Sequence, residues 1–295
     1  MDLVIYTPRL PVPGETISGG PFATYPGGKG ANQAVAAARL GAQVAMIGRV
    51  GQDAFGAAMQ AAVAEAGVNV AYIDALSDVA TGVALIAVET SGQNTIIIAP
   101  GANDRLTPAD IDAAADAITA ANLLVLQLET PLPAVQRAAA IARSAGKTVI
   151  LNPAPAQPLS SDLLELVDYL IPNEYEATIL LGGGTTEDKH PIEQAEALQV
   201  ATGVSSVVLT LGAQGATLVG SATAPDAVCA HQVKAIDATA AGDAFVAAFA
   251  VALSEGRSPP EALRWGNAAG ALTTTRLGAQ PALPSRAEIE RLMEG

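Results

Sequence analysis

The segment Asp237–Ala250, which reads DATAAGDAFVAAFA, has the residue types of a site that holds an anion. Its two phenylalanines and the following Leu253 fall on one helical face, so the spacing predicts a helix that begins near Ala240, Ala241 and Gly242. Backbone N–H groups in the first turn of a helix lack partners within the helix and point outward with the positive end of its dipole. Small side chains let a phosphate approach closely. We therefore expect an anion hole at this turn.

Asp243 lies in the first turn of the same predicted helix, and two roles are open to its carboxylate. It can simply favour the positive end of the helix dipole. It can also act as a general base that takes the proton from an attacking hydroxyl beside the phosphate. The segment taken alone favours neither role over the other.

A second glycine-rich segment, Gly27–Asn32 (GGKGAN), leads into an alanine-rich helix predicted over Gln33–Leu40. Lys29 superficially matches a P-loop lysine, but Ala23 and Gly30 stand where that pattern requires Gly and Ser or Thr. A dinucleotide-binding G-x-G-x-x-G is not completed either. What remains is a glycine turn that presents a lysine and an asparagine, side chains that suit a polyhydroxylated ligand.

Three further segments are weak signals when each is taken alone. Asn173–Glu176 (NEYE) follows a proline and fits ordinary helix capping. Thr210–Gly215 (TLGAQG) is a strand end that runs into glycine turns, and Gly278–Pro281 (GAQP) is another turn.

Short apolar runs alternate with amphipathic segments along most of the chain. The runs predicted as strands are Val44–Ile47, Leu123–Leu128, Thr148–Leu151, Tyr169–Ile171, Val207–Thr210 and Val228–Val233. The predicted helices between them include Ala54–Ala66, Leu132–Ser144 and Ile192–Thr202. This alternation predicts an α/β fold in which helices flank a doubly wound, mainly parallel sheet. The carboxyl ends of its strands then share the edge at which ligands bind.

Residues 4–25 and 81–99 depart from this alternation of strands and helices. The first segment is rich in Pro, Gly and Thr, and the second alternates like antiparallel strands with one apolar face. Both are predicted as β insertions of a single domain, 1–295, and together they could form a small lid over the binding edge.

Composition excludes several classes of partner. The formal net charge of −14 disfavours nucleic acid and anionic lipid. No apolar run approaches the ~20 residues of a membrane-spanning helix, and the first residues lack the pattern of a signal peptide. Cys229 is the single cysteine, which leaves no intrachain disulfide and fits a reducing compartment, so we expect a cytoplasmic location.

The segments gain specificity when they are taken in order along the chain. The ordered set is GGKGAN, GRVGQDAFG, TGVALI, LNPAP, PNEYEA, TLGAQG, AAGD and GAQP. In this combination the chain closely resembles the ribokinase-like (PfkB) sugar kinases over essentially its whole length. The resemblance implies an ATP-dependent phosphotransferase, with the 5-hydroxyl of D-ribose as the expected acceptor. The alternatives are a kinase for another sugar or a nucleoside, such as fructose or adenosine, and a sugar-binding protein with impaired catalysis.

The resemblance also implies roles for individual residues. It makes Asp243 the general base and Ala240, Ala241 and Gly242 the anion hole. The implied sugar-binding residues are Asp2, Gly28, Lys29, Asn32 and Glu129, together with Asp243. The implied ATP-binding residues are Asn173, Glu176, Thr210, Gly212, Gly215, Gly242 and Asn267. Glu176 is expected to organise Mg²⁺ through water.

The resemblance further implies a monovalent cation, K⁺, beside the anion hole, bound largely by backbone carbonyls. The implied positions are Asp237, Thr239, Thr273, Arg276 and Gly278. The chain departs from the family pattern at Ala282, where a relative has a serine ligand, and at Ala238, where threonine is common. Lid strands of this family commonly pair between subunits, so a homodimer is expected.

The start of the chain departs from the family pattern as well. Family members have a core strand and a G-S-x-N turn before the sugar-binding aspartate, whereas Asp2 here follows Met1 directly. We therefore expect the first core strand of the family to be missing before Met1, and with it one sugar contact.

Overall fold

A computed structural model of the chain describes residues 1–90, 93–183, 190–220 and 223–294. The strands are β1 Asp2–Thr7, β2 Phe22–Tyr25, β3 Ala45–Gly51, β4 Asn69–Leu76, β5 Val83–Glu89, β6 Asn94–Ala99, β7 Leu123–Leu126, β8 Thr148–Leu151, β9 Tyr169–Leu170, β10 Ser206–Thr210, β11 Ala216–Gly220 and β12 Thr223–Val228. The α-helices are α1 Lys29–Arg39, α2 Ala54–Glu65, α3 Pro108–Ala113, α4 Ala115–Ala120, α5 Leu132–Ser144, α6 Ser161–Leu164, α7 Glu174–Leu180, α8 Pro191–Thr202, α9 Ala241–Ser254, α10 Pro259–Thr273 and α11 Arg286–Glu294. Among these residues, none of the helices has both the length and the apolar character needed to cross a membrane.

The main sheet has six strands in the order β12-β11-β10-β9-β8-β7. Strands β7 to β10 run parallel, and β11 and β12 add an antiparallel edge. Strands β3 and β4 form a separate parallel pair. Because the strands are mostly parallel and helices pack on both faces, the predicted α/β class is confirmed.

Two predicted boundaries were wrong. The strand predicted over Val228–Val233 is wrong, because β12 spans Thr223–Val228 and only Val228 belongs to both ranges. β12 contains Pro225 and Asp226 and therefore lacks the apolar run that indicates a buried strand, and proline is tolerated in an edge strand such as this one. The helix predicted over Gln33–Leu40 begins earlier, at Lys29, so both the lysine and the asparagine of GGKGAN lie in its first turn rather than before it.

The core is built around α9, whose residues from Asp243 to Ala252 are all buried. Most of them are alanine, valine or phenylalanine, so neighbouring backbones pack closely with few aromatic rings. Phe249 is fully buried and meets the Tyr169 ring edge-on at 5.3 Å, which anchors the helix to the end of β9. Burial of this helix fixes its N-terminus, where Asp243 lies.

A cavity of about 540 Å³ separates β3 from β7. Residues 44–47 of one strand region and 123–127 of the other line it, and helices α1, α4 and α5 close it. Among the described residues β3 pairs only with β4, and β7 pairs only with β8, so each strand has one edge towards the cavity. The expectation that a core strand of the family is missing before Met1 stays a prediction.

A four-stranded sheet, β2-β1-β5-β6, lies apart from the main sheet. Strands β1 and β5 are parallel, while β2 and β6 pair antiparallel with them at the two edges. The expectation of one apolar face is wrong for β6. Ile96, Ile97 and Ile98 are consecutive and therefore face both sides, and each is more than half exposed.

Candidate active site

The N-terminus of α1 is capped by a carboxylate from a distant part of the chain. Gly28 precedes the helix with φ 88°, a conformation that favours glycine, and contributes no side-chain cap. The N–H of Lys29 donates instead to Oε2 of Glu129, over 2.8 Å. Glu129 lies just beyond the carboxyl end of β7, so this contact joins the GGKGAN segment to the main sheet.

Asp2 packs directly against the same segment. A Cβ built on Gly27 would lie 2.1 Å from Oδ2 of Asp2, so only glycine permits this approach. The amino group of Met1 donates to the carbonyl of Gly82, over 2.9 Å, and thereby ties β1 to the start of β5. The small sheet and the GGKGAN turn therefore meet at Asp2.

Asp243 is buried, and both of its carboxylate oxygens accept hydrogen bonds from side chains of α1. Oδ2 accepts from the amide of Asn32 over 2.9 Å, and Oδ1 accepts from the amide of Gln33 over 3.1 Å. Burial raises the pKa of Asp243, and the positive charge of Lys29 and the two amide donors oppose that rise. The result is a shielded carboxylate that binds protons more readily than a solvent-exposed one.

Further carboxylates surround this group. Burial raises the pKa of Asp2 and of Glu129, and the charge of Asp243 adds to both effects. The N–H and the positive charge of Lys29 lower the pKa of Glu129 in turn. Lys29 and the amino group of Met1 are therefore cations that balance a cluster of acceptors suited to sugar hydroxyls.

The turn before α9 has the geometry of an anion site, with one correction to its predicted donors. Ala240 has φ 61°, the only positive φ outside glycine in the described chain. The N–H of Ala241 donates to the carbonyl of Ala238 over 3.2 Å and is not free for an anion. Within the described residues, no protein acceptor meets the N–H groups of Gly242 and Asp243, which face the open side of the turn.

Asn173 and Glu176 form a capping box at the start of α7. The N–H of Glu176 donates to Oδ1 of Asn173 over 2.8 Å, and the N–H of Asn173 donates to Oε2 of Glu176 over 2.9 Å. Burial raises the pKa of Glu176. Among the described residues, Oε1 of Glu176 has no protein hydrogen-bond donor, so this oxygen can serve a hydrated cation.

Thr210 lies beside this capping box at the end of β10. Its N–H donates to the carbonyl of Pro172 over 3.0 Å, and Thr210 and Asn173 form an isolated parallel bridge. Gly212 follows in an exposed 3₁₀ turn. A Cβ on Gly215 would lie 1.9 Å from the carbonyl of Val228, so close packing against that backbone already requires glycine there.

Asn267 connects α10 to the same edge of the sheet. Its buried amide donates to the carbonyl of Cys229, over 2.8 Å, just after β12. The residues predicted to bind nucleotide lie at or just beyond the carboxyl ends of β9 and β10, except Gly242 at the start of α9 and Asn267 in α10, which contacts the chain just after β12.

Asp237 and Thr239, two of the residues predicted to hold K⁺, lie in the turn before α9, whereas Thr273 ends α10 and Arg276 and Gly278 follow it. The side chain of Asp237 joins these two regions. One oxygen of Asp237 accepts from the N–H and hydroxyl of Thr239, over 2.9 and 2.6 Å, and the other accepts from the N–H of Gly278, over 2.8 Å. Burial favours a higher pKa for Asp237, but these bonds outweigh it and leave the pKa lowered. Both carboxylate oxygens of Asp237 therefore have protein partners, and the backbone carbonyls stay the predicted main ligands for a cation.

Two members of that set have other partners. The hydroxyl of Thr273 donates to the carbonyl of Ala269 over 2.8 Å, and the guanidinium of Arg276 pairs with Glu288. Ala282 is fully buried and has no side-chain oxygen. The side chains of Thr273 and Arg276 thus have structural partners, and binding of K⁺ by backbone carbonyls stays a prediction.

Sequence reasoning missed two buried amides at the centre of this site. Gln33 contacts both Asp243 and Asn152, and Asn152 donates to the carbonyl of Ile171. Asn152 belongs to LNPAP, and Gln33 directly follows GGKGAN. Their positions in or beside these motifs were the available signal.

Comparison with known proteins assigns the class. Residues 1–286 match the model of the pfkB family carbohydrate kinases. The ribokinase of Haemophilus influenzae is 43% identical over 293 residues, which covers 99% of this chain and 95% of that protein. The deoxyribokinase of Salmonella typhi is 36% identical and covers 97% of this chain, with 93% of its own length matched.

A solved structure gives the same result in three dimensions. The ribokinase of Arabidopsis thaliana complexed with ribose and ATP superposes with a TM-score of 0.89 and 35% sequence identity, covering 100% of this chain and 96% of that one. The fold and site define an α/β phosphotransferase that acts on a hydroxyl group. The chain belongs to the pfkB family of carbohydrate kinases.

Proposed function

We propose that this protein transfers the terminal phosphoryl group of ATP to the 5-hydroxyl of D-ribose and forms ribose 5-phosphate. One observation carries the proposal: the carboxylate of Asp243 is held at the first turn of α9, where the N–H groups of Gly242 and Asp243 are open to an anion. A base and a phosphate site are thereby adjacent, as phosphoryl transfer to an alcohol requires.

In this mechanism the sugar lies beneath the β1–β5 sheet. Asp2 and Glu129 accept hydrogen bonds from its hydroxyls, while Lys29 and Asn32 supply donor and acceptor groups. Asp243 takes the proton of the reacting hydroxyl as that oxygen attacks the γ-phosphorus and the bond to ADP breaks. The N–H groups of Gly242 and Asp243 stabilise the charge on the transferring phosphoryl group.

ATP is placed along the carboxyl edge of β9 and β10. Asn173, Thr210, Gly212 and Gly215 border its phosphates and ribose, and Asn267 lies on the adenine side. An ATP-dependent kinase takes its nucleotide with Mg²⁺, which neutralises phosphate charge. The unpartnered oxygen of Glu176 would hold that ion through water. The loops at Asp237 and Gly278 would hold K⁺ through backbone carbonyls, including those of Thr239, Thr273 and Arg276.

Ribose is favoured over a sugar with fewer hydroxyls. Two partly buried carboxylates, those of Asp2 and Glu129, and the unpaired amide oxygen of Asn32 provide acceptors for several hydroxyls at once. The ribokinase of H. influenzae is also more similar to this chain than the deoxyribokinase of S. typhi is. 2-Deoxyribose is the second candidate, since a kinase for it shares most of this chain's length.

We further place the enzyme in the cytoplasm as a homodimer that pairs through the lid sheet β2-β1-β5-β6. The exposed isoleucines of β6 support pairing, because an edge strand with consecutive exposed apolar side chains is readily covered by a second copy.

The decisive experiment measures ADP release with Mg²⁺ and K⁺ in the presence of ribose, 2-deoxyribose, fructose or adenosine. The highest kcat/KM is expected with ribose. Asp243→Asn should lower kcat by about 10³-fold while ribose still raises the melting temperature. Ribose binding without ADP release by the wild-type protein would indicate a sugar-binding protein and contradict the kinase proposal. Faster turnover with another acceptor would correct the substrate.

A further inference from the structure

Gln33 lies between the proposed base and the main sheet. Its side-chain amide nitrogen is 3.1 Å from Oδ1 of Asp243 and 3.3 Å from Oδ1 of Asn152. Gln33 is 5% exposed and Asn152 8%, so solvent does not compete for these bonds. Both hydrogens of one NH₂ group are thereby directed to two fixed acceptors.

The orientation of this amide is set from the backbone. The carbonyl of Ile171, just after β9, can only accept a hydrogen bond, and the NH₂ group of Asn152 donates to it over 2.9 Å. Asn152 therefore presents its oxygen to Gln33. Gln33 must therefore turn its NH₂ group towards Asn152, because its amide oxygen in that position would face another oxygen. The same NH₂ group then faces Asp243.

Asn152 is itself held in place. Its N–H donates to the carbonyl of Leu126 over 2.9 Å, across the ends of β7 and β8. We call the hydrogen bonds that run from the carbonyl of Ile171 through Asn152 and Gln33 to Asp243 the relay. It begins at rigid strand ends and ends at the carboxylate in α9. Neither amide can take up or release a proton near neutral pH, so the relay orients Asp243 without competing for its proton.

We propose that Gln33 is a positioning residue for phosphoryl transfer, which holds the carboxylate of Asp243 in the orientation set by Asn152 and the carbonyl of Ile171. This proposal rests on the proposed role of Asp243 as general base. Gln33 differs from Asn32 in one respect that a measurement can detect. Asn32 has a spare amide oxygen for the sugar, whereas the amide hydrogens of Gln33 both go to protein groups. Loss of Gln33 should therefore affect turnover and not sugar binding.

The charged groups that influence Asp243 come from several elements. They are Lys29 of α1, Asp2 of β1, Glu129 after β7 and Glu176 of α7. Gln33→Met alters none of them. It removes only a donor to the ionised carboxylate, so the protonated form gains in relative stability and the pKa of Asp243 rises. A base must be ionised to act, and the acid limb of the kcat profile should therefore move to higher pH.

The test compares the wild-type protein, Gln33→Met and the control Gln60→Met. Like Gln33, Gln60 lies in a helix and donates a hydrogen bond from its side-chain amide. It lies in α2, however, and its acceptor is the backbone carbonyl of Ile73. For Gln33→Met we expect a kcat about tenfold lower or less, a ribose KM within about twofold, and an acid limb at higher pH. Gln60→Met should leave all three unchanged. An unchanged kcat, or a lower kcat with an unmoved pH profile, would overturn the proposal.

A second measurement does not depend on turnover. In protein labelled with ¹³C at aspartate carboxyls, the resonance that disappears in Asp243→Asn reports the pKa of Asp243 directly. Gln33→Met should raise that pKa in the absence of sugar, and Asn152→Leu should raise it less. The double variant should match Gln33→Met, because the relay is already broken. An unmoved pKa in Gln33→Met contradicts the positioning role even if no acceptor sugar is turned over, whereas a raised pKa without turnover contradicts only the proposed function.

Discussion

Asn32 donates its amide to Oδ2 of Asp243 over 2.9 Å, while its own carbonyl oxygen is buried without a hydrogen-bond partner in the described chain. The pair joins the first turns of α1 and α9, which are 211 residues apart. A buried acceptor without a donor costs about 1–3 kcal/mol. A sugar hydroxyl that donates to this oxygen would recover that free energy, so the unpaired oxygen favours ligand binding.

The first prediction concerns this oxygen. Asn32→Ala should raise the KM for ribose by about tenfold or more and shrink the ribose-induced rise in melting temperature, because the sugar loses an acceptor. Steady-state kinetics and thermal unfolding with and without ribose measure both effects. Asn69→Ala is the control, since Asn69 lies in β4 and its side chain accepts only from the nearby N–H of Ala71. An unchanged KM in Asn32→Ala would show that the oxygen does not contact the sugar.

The second prediction concerns the stability of the sugar-free protein. Burial raises the pKa of Asp243 in the folded state, so the protonated form favours folding. Its stabilising contribution is complete below the unfolded-state pKa, near ~4, and is lost as the pH rises through the raised value. Asp243→Asn cannot ionise. The melting temperature of the wild-type protein should therefore fall relative to Asp243→Asn as the pH rises above ~4, and a difference that is constant with pH would contradict this account.

Glu288 should show the opposite dependence. Hydrogen bonds from the N–H of Ser285 and from Arg276 lower its pKa to about 2. The ionised Glu288 contributes to the free energy of unfolding above the unfolded-state pKa, and this contribution is lost as the pH falls towards 2. With allowance for solvent screening, Glu288→Gln should lower the free energy of unfolding by about 1–2 kcal/mol at pH 7 and by less at pH 3. Glu290→Gln, on the same helix, is the control; equal losses at both pH values would disprove the assignment.

The exposed isoleucines of β6 lead to a prediction about assembly. Ile97→Asp places a charge in the proposed dimer contact and should convert a dimer into a monomer at micromolar concentration, as sedimentation velocity would detect. Val200→Asp is a matched control, because Val200 is also highly exposed but lies on α8. A wild-type protein that sediments as a monomer, or an Ile97→Asp dimer, would exclude pairing through this strand.

The α/β fold could be predicted because its signals are local. The parallel strands β7 to β10 of the main sheet are short apolar runs, and polar motifs follow strand ends that a parallel sheet brings to one edge. The start of α1 could not be predicted in this way. Its cap is the carboxylate of Glu129, 100 residues away, and nothing in GGKGAN encodes that partner.

The same distinction between local and long-range signals explains which details of the site could be predicted. The position of Asp243 at a helix start is local and was predicted, but its partners Asn32 and Gln33 depend on how α1 packs against α9. The N–H of Ala241 was wrongly expected to be free because its acceptor, the carbonyl of Ala238, depends on the left-handed conformation of Ala240. Sequence patterns identify groups that can react, whereas tertiary packing decides which hydrogen bonds remain open.

The last prediction concerns the two loops that Asp237 joins. Its carboxylate links the turn at Thr239 to the N–H of Gly278, and the loops supply the carbonyls proposed for K⁺. Asp237→Ala removes both links, so kcat should fall by about tenfold and its increase on replacing Na⁺ with K⁺ should disappear. Thr239→Val keeps the bond from Gly278 and should retain most of the response. A K⁺ response that persists in Asp237→Ala would contradict this role of the carboxylate and would show that the bonds from the N–H groups of Ile236 and Asp237 to the carbonyl of Thr274 are enough to hold the two segments together.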